Sequence, residues 1–235
     1  MQQPPGFSTD STLVCRLNNA KYGLKQAPHA WFQKLSTTLL HLGFVAAKSD
    51  TSLFTRFTQS HTIFILIYVD DILVTGSSLV LVQDFSKQLG LYFALKNLGP
   101  LHYFLGIEVS WLKNDSIHLS QAKYIKDLLG CTNMVNSRPQ PSPMLSSLRL
   151  TTDESVSVDD PTLYQSIVST LQYATITRLE ISFSINRVCQ YMHKPQIHHW
   201  KIVKRILRYL ADTPTHGLLL TPSPAYSITG FSDSD

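Results

Sequence analysis

The chain has 235 residues, 43% of them hydrophobic and 15% charged, which suffices for one large or two small folded cores and excludes a disordered tail. Twenty Lys and Arg against sixteen Asp and Glu leave a net charge of +4, a balance that suits a polyanion partner and suits an ordinary basic enzyme equally. The cysteines Cys15, Cys131 and Cys189 are far apart and lack the CxxC or His spacing of a zinc site, so they read as reduced, buried thiols of an intracellular protein. The N-terminus lacks the basic start and apolar stretch of a signal peptide. The most apolar run, Thr62 to Val74, is too short to cross a bilayer and carries two adjacent acids, so no membrane segment is expected.

In chain order, Pro28 to Leu42 sets Trp31, Leu35, Leu39 and Leu42 at helical spacing, with Pro28 in the first turn and Gly43 just beyond. Thr51 to Phe57 is rich in strand formers, and His61 to Tyr68 is an uninterrupted apolar run that reads as a central strand. Val69-Asp70-Asp71 then turns the chain, and Ile72 to Thr75 returns as a partner strand. Gly76-Ser77-Ser78 closes this hairpin and supplies a cap for a helix from Leu79 to Leu89. Tyr92 to Leu95 and Tyr103 to Ser110 read as further strands around the turn Asn97-Leu98-Gly99-Pro100, and Ser116 to Leu119 can pair with the second. Ser120-Gln121-Ala122 opens a helix through Leu129.

From Cys131 to Asp160 the chain is rich in Pro, Ser, Thr and Asn and reads as a linker between two units. Beyond it, Pro161 to Ala174, Leu179 to His193 and Ile197 to Thr213 read as helices, the last with Trp200, Val203, Leu207 and Leu210 on one side and Lys201, Lys204, Arg205 and Arg208 elsewhere. Short strands at Gly217 to Leu220 and Tyr226 to Phe231 follow.

The strongest local signal for chemistry is Ile67-Tyr68-Val69-Asp70-Asp71-Ile72, two adjacent carboxylates at the tip of a hairpin too apolar to bury them. A carboxylate pair held by a tight turn offers hard oxygen ligands to Mg²⁺, as two-metal nucleotidyl transfer needs. Taken alone, the dipeptide favours a solvated hairpin turn. Its company reverses that preference. YGLKQAP (22–28) with Ala30-Trp31 upstream of YVDD (68–71) and FLGIEV (104–109) downstream stand in the order of a polymerase palm, and LGPLHYFLGIEV (98–109), SQAKYI (120–125), Gln172-Tyr173 with TITR (175–178), and His199-Trp200 with VKRILRYL (203–210) complete a series of segments. In this order and spacing, over nearly the whole chain, they resemble the reverse transcriptases of copia-type retrotransposons.

That resemblance implies an α/β (α+β) fold: a palm with an antiparallel sheet and flanking helices over residues 1–130, a linker at 131–160, helical thumb and connection elements over 161–215, and the start of a ribonuclease H-like domain at 216–235. It implies an RNA-directed DNA polymerase with two Mg²⁺ ions, acting on an RNA or DNA template–primer duplex and deoxynucleotides. Asp70 and Asp71 become the catalytic metal ligands and Tyr68 the aromatic beside the primer terminus. Lys25 and Gln26 become contacts to nucleotide and template, where Gln26 is equally an exposed polar cap. Leu105-Gly106 becomes the primer-grip turn, Gly allowing close backbone approach; a bulge in a strand is the alternative. Asp233 becomes the first ribonuclease H ligand. Lys96 reads better as a solvated lysine than as an aid to pyrophosphate release, and Lys194 with the basic residues of the last helix suits a duplex or a solvated face equally.

The sequence also departs from the family. The palm's other metal ligand is expected upstream of Met1, so Met1 reads as an internal methionine of a longer polyprotein and the chain is expected to be inactive or nearly so. His29 stands where the family has Arg, Lys21 where it has an apolar residue, Ser169 where it has Gly, and Leu179-Glu180 where it has Pro-Asp. These changes suggest a degenerating element, whose alternative role is that of a non-catalytic nucleic-acid-binding remnant.

Overall fold

Pro28 enters the first turn of helix α1 (Ala27–His41), where its missing N–H has no partner to lose. The helix stops at Gly43, whose φ of 82° lets Gly43 N–H reach the Leu40 carbonyl and Phe44 N–H reach that of Leu39, each at 3.0 Å. This is a Schellman ending, and it delivers Phe44 into the same core as Leu39. The computed structural model describes residues 23–145, 156–223, 225, 227–228 and 230–232. It divides the chain into two units, Met1–Gly99 and Pro100–Asp235.

In the first unit, β1 (Val45–Ala46), β2 (Leu53–Phe57), β3 (Thr62–Tyr68) and β4 (Asp71–Gly76) form an antiparallel meander in that order. Alternation gives β3 one buried side, Ile63, Ile65 and Ile67, which packs with Leu35 and Leu39 of α1 and with Phe85 and Leu89 of α2 (Leu79–Tyr92). Arg56 closes the edge of this core, its guanidinium 4.8 Å from the Phe44 ring centroid and donating to the Leu42 carbonyl at 3.2 Å.

In the second unit, β5 (Tyr103–Phe104), β6 (Ile107–Trp111), β7 (Ile117–Ser120) and β8 (Gly217–Leu220) form another antiparallel sheet in sequence order. Helices α3 (Ala122–Cys131), α4 (Pro161–Ala174), α5 (Ser182–Cys189) and α6 (Ile197–Asp212) share one core, to which α6 gives Ile202, Val203, Ile206, Leu207 and Leu210 from a single stripe. Asp160 caps α4, its carboxylate accepting from Leu163 N–H at 2.9 Å. The core of this unit runs across the stretch 131–160: Ile125, Leu128 and Leu129 ahead of it pack with the helices behind it. The fold is therefore mixed α/β, with two antiparallel sheets and six helices among the described residues.

Several sequence expectations need correction. The apolar run of β3 is the central strand expected, paired on both edges, but it is buried on one side only, Phe64 and Tyr68 facing out at 37% and 54% exposure. Residues 93–99 form no strand; Tyr92 ends α2 and Phe93 folds back extended into the first core. Tyr103 to Ser110 is two strands, β5 and β6, because Leu105 and Gly106 both take positive φ and reverse the chain. Leu179 to His193 is a 3₁₀ turn, Leu179–Ile181, followed by the shorter α5. The described residues of 226–231 carry no strand. Cys131 is exposed and Cys189 half-buried, so neither is the fully buried thiol expected; Cys15 lies outside the described residues. Ser78 is the N-cap of α2 by position, yet its side chain makes no capping bond, and it is Ser77 Oγ that accepts a bond, from Thr62 N–H at 3.1 Å.

Candidate active site at the Tyr68–Asp71 hairpin

Strands β3 and β4 pair from Ile63 with Gly76 to Tyr68 with Asp71, leaving Val69 and Asp70 as a two-residue loop. Such a loop demands positive φ at its first position, and Val69 takes 48°. A β-branched residue there is held against its preference, and only the flanking strands make the conformation persist. Directly opposed residues of an antiparallel pair share a face, so Asp71 stands with Tyr68, Leu66 and Leu73 on the side away from Ile63, Ile65 and Ile67. Tyr68, Val69, Asp70 and Asp71 are all exposed.

Neither Asp70 nor Asp71 has a side-chain hydrogen bond or ion pair among the described residues. Glu108 and Glu180 differ: the first accepts from Lys123 N–H at 2.8 Å, and the second accepts from Arg178 Nε at 2.6 Å. Two neighbouring anions without partners repel each other, and a cation between them removes that repulsion. Among the described residues no third His, Cys, Asp or Glu joins them in a metal-binding group. Two carboxylates still fit Mg²⁺, which keeps several waters and takes one or two carboxylates together with substrate phosphates.

The other expected site residues fall elsewhere. Gln26 is the N-cap of α1 and makes no capping bond with its side chain, so Lys25 and Gln26 are both exposed at the entrance to that helix. Leu105 and Gly106 belong to the second unit, as the two-residue loop between Phe104 and Ile107. Their φ values of 50° and 77° match the type I′ class of hairpin turn. A Cβ on Gly106 would meet Tyr173 Cε1 at 3.5 Å, an ordinary contact, so the glycine is required by its φ rather than by lack of room. Lys96 is exposed in the irregular segment after α2. Asp233 lies outside the described residues.

Residues 1–146 match the family model described as reverse transcriptase (RNA-dependent DNA polymerase). The chain belongs to that family, and to its copia-type branch. It is 46% identical over 237 residues to the retrovirus-related Pol polyprotein from transposon RE2 of Arabidopsis thaliana, a match that covers all of this chain and 16% of the polyprotein. Similarity to the retrovirus-related Pol polyprotein from transposon TNT 1-94 of Nicotiana tabacum is 34% over 246 residues, again over all of this chain and over 18% of that protein. An uncharacterized mitochondrial protein of Arabidopsis thaliana is 40% identical over 173 residues, covering 73% of this chain and 71% of its own length. The chain thus spans about a sixth of the Pol polyproteins it matches. No solved structure matches it.

Reverse transcriptases as a family use divalent metals, a nucleic-acid template and nucleotides, which is the setting in which unpartnered carboxylates at a hairpin tip make chemical sense. In this reverse transcriptase chain no helix among the described residues is long and apolar enough to cross a membrane. Sequence reading missed one conspicuous cluster. Arg178 is fully buried, and besides Glu180 it donates to the Thr213 carbonyl at 2.7 Å and to Thr213 Oγ1 at 2.6 Å. Glu180 is therefore paired, not idle. The spacing of Arg178 and Glu180 was the available signal; Thr213, 35 residues away, was not foreseeable.

Proposed function

We propose that this chain is the RNA-directed DNA polymerase portion of a copia-type Pol polyprotein, with Asp70 and Asp71 as its metal-binding carboxylates. The observation that carries the reading is the pair itself: two adjacent carboxylates without a side-chain hydrogen bond or ion pair among the described residues, fixed by a strained two-residue loop beside an exposed tyrosine. Bound there, Mg²⁺ would supply Lewis-acid activation of a primer 3′-hydroxyl and charge neutralisation for departing pyrophosphate. Tyr68, on the same sheet face as Asp71, lies beside the primer terminus and limits where it can sit. Lys25 and Gln26 contact the incoming nucleotide and the template, the first by charge and the second by an amide that adds none. Leu105-Gly106 brings backbone against the primer strand. By function, residues 1–130 supply the palm, 161–215 the thumb and connection elements behind the 131–160 linker, and 216–235 the start of a ribonuclease H-like domain with Asp233 as a ligand.

Because no third ligand joins the pair among the described residues, the 235-residue chain by itself should extend primers roughly three or more decades more slowly than a complete site. Nucleotide binding is the more telling test. With the chain bound to an RNA–DNA template–primer, fluorescence should report tighter deoxynucleotide binding in Mg²⁺ than in EDTA, and Asp70→Asn should abolish the difference. Equal affinity in both conditions overturns the reading. The rival, a non-catalytic nucleic-acid-binding remnant that uses the basic face of α6, loses part of its surface: Arg205 is committed to Ser142, donating to its carbonyl at 3.1 Å and to its hydroxyl at 3.0 Å.

A further inference from the structure

The Leu105-Gly106 turn is anchored from beneath by two helices. The hydroxyl of Tyr173, near the end of α4, donates to the Leu105 carbonyl. Tyr124 of α3 meets the Tyr173 ring edge-on, with centroids 5.2 Å apart and planes at 62°, and its own hydroxyl donates to the Thr170 carbonyl at 3.1 Å. Fully buried Gln121 accepts from Thr177 Oγ1 at 2.8 Å and donates to the Tyr173 carbonyl at 3.4 Å, fixing the end of α4 to the start of α3. Glu108, just past the turn on β6, receives Lys123 N–H from the first turn of α3, where the helix dipole favours an anion. Turn, strand, α3 and α4 thus close a ring, and the Tyr173 hydroxyl is the link that returns to the turn.

That link has a directional consequence. The peptide joining Leu105 to Gly106 is planar and trans, so its carbonyl and its N–H point opposite ways. With the carbonyl held toward α4 by Tyr173, the Gly106 N–H is turned away from the helices. Leu105 is an L-residue at positive φ and would not hold this peptide orientation by preference.

We propose that Tyr173 is a positioning residue of the polymerase: its hydroxyl fixes the Leu105-Gly106 peptide so that the turn's outward backbone meets a nucleic-acid strand at one set orientation. This rests on the reading of Leu105-Gly106 as the turn that contacts the primer. It makes α4 the element that transmits a shift of the helices to that turn.

Tyr173→Phe keeps the ring against Tyr124 and removes the hydroxyl that serves the Leu105 carbonyl; Tyr124→Phe removes a hydroxyl that serves a helix carbonyl instead. The full chain is titrated with an RNA–DNA template–primer while Gly106 and Ile107 amide resonances are followed, with duplex affinity measured at several salt concentrations and thermal melting recorded. For Tyr173→Phe the expected result is duplex binding weakened about 2- to 10-fold, the net worth of one hydrogen bond. The salt slope stays unchanged because no cationic contact is lost, and the duplex-induced shift at Gly106 disappears. Tyr124→Phe should keep that shift. If Gly106 responds to duplex in the wild type and identically in Tyr173→Phe, the positioning role is overturned while the primer-contact reading stands. A wild-type chain that binds duplex with no response at Gly106 overturns both.

Discussion

Replacing Glu180 with leucine tests whether its carboxylate is what makes a buried guanidinium tolerable. Arg178 is fully buried, and its donors reach the Glu180 carboxylate at 2.6 Å and two oxygens of Thr213 at 2.6 and 2.7 Å, with the Tyr209 ring centroid 5.6 Å away. Deleting one partner of a buried ion pair costs about 3–5 kcal/mol, because a charge is left behind in low dielectric. The Glu180 side chain is 42% exposed, so water already screens part of the attraction, and the expected loss for Glu180→Leu falls to about 2–3 kcal/mol. Arg178→Met removes the buried charge itself and leaves a carboxylate that can hydrate, so its cost should be smaller, about 1–2 kcal/mol. Urea unfolding followed by far-ultraviolet circular dichroism gives both numbers, and the double variant completes a cycle. A loss in Glu180→Leu below about 0.5 kcal/mol, or one smaller than that of Arg178→Met, refutes the assignment of Glu180 as the compensating charge.

Burial pushes the Tyr164 phenol well above its ordinary range, with Cys189 and Tyr191 adding to the effect, while its hydroxyl donates to the Val188 carbonyl at 2.9 Å. The folded state therefore keeps a proton that the unfolded state releases near about pH 10, so stability holds below that pH and falls above it. Urea midpoints on either side of that value should fall more in the wild type than in Tyr164→Phe, and parallel losses would contradict this. Gly76→Ala places a Cβ 2.6 Å from the Thr62 carbonyl oxygen, backbone that cannot step aside, so the β3–β4 hairpin should lose about 1–3 kcal/mol in a thermal or urea melt. Native-state alkylation with peptide mapping should modify exposed Cys131 ahead of Cys189, whose thiol burial pushes up; equal rates would contradict the difference in environment. Primer extension on an RNA template with Mg²⁺ should show little or no incorporation by this chain, and clear incorporation abolished by Asp70→Asn would contradict that expectation.

What was legible in the sequence was what local physics decides. Helix α1 announced itself through Pro28, the Leu35 and Leu39 stripe and Gly43, and all three act in the structure as their chemistry dictates. The β3–β4 hairpin was equally plain, because two apolar runs can be joined by so short a polar tip only as a tight turn. The Leu105-Gly106 reversal was hidden because leucine gives no hint of a positive φ, and YFLGIEVS reads as one strand with a glycine in it. The outward faces of Phe64 and Tyr68 were hidden too, since an unbroken apolar run cannot say which side is covered. At the site, sequence named Asp70 and Asp71, and the structure adds that neither has a side-chain partner among the described residues. The bonds of Tyr173 to Leu105 and of Arg178 to Thr213 cross 68 and 35 residues of chain, distances over which no periodicity carries information.

Manganese titration followed through paramagnetic broadening of backbone amides probes the carboxylate pair without requiring turnover. The proposed metal role predicts that amides of residues 68–72 broaden first and together, and that Asp70→Asn combined with Asp71→Asn removes the effect. Broadening that begins at other exposed carboxylates, or that persists unchanged in the double variant, would contradict it.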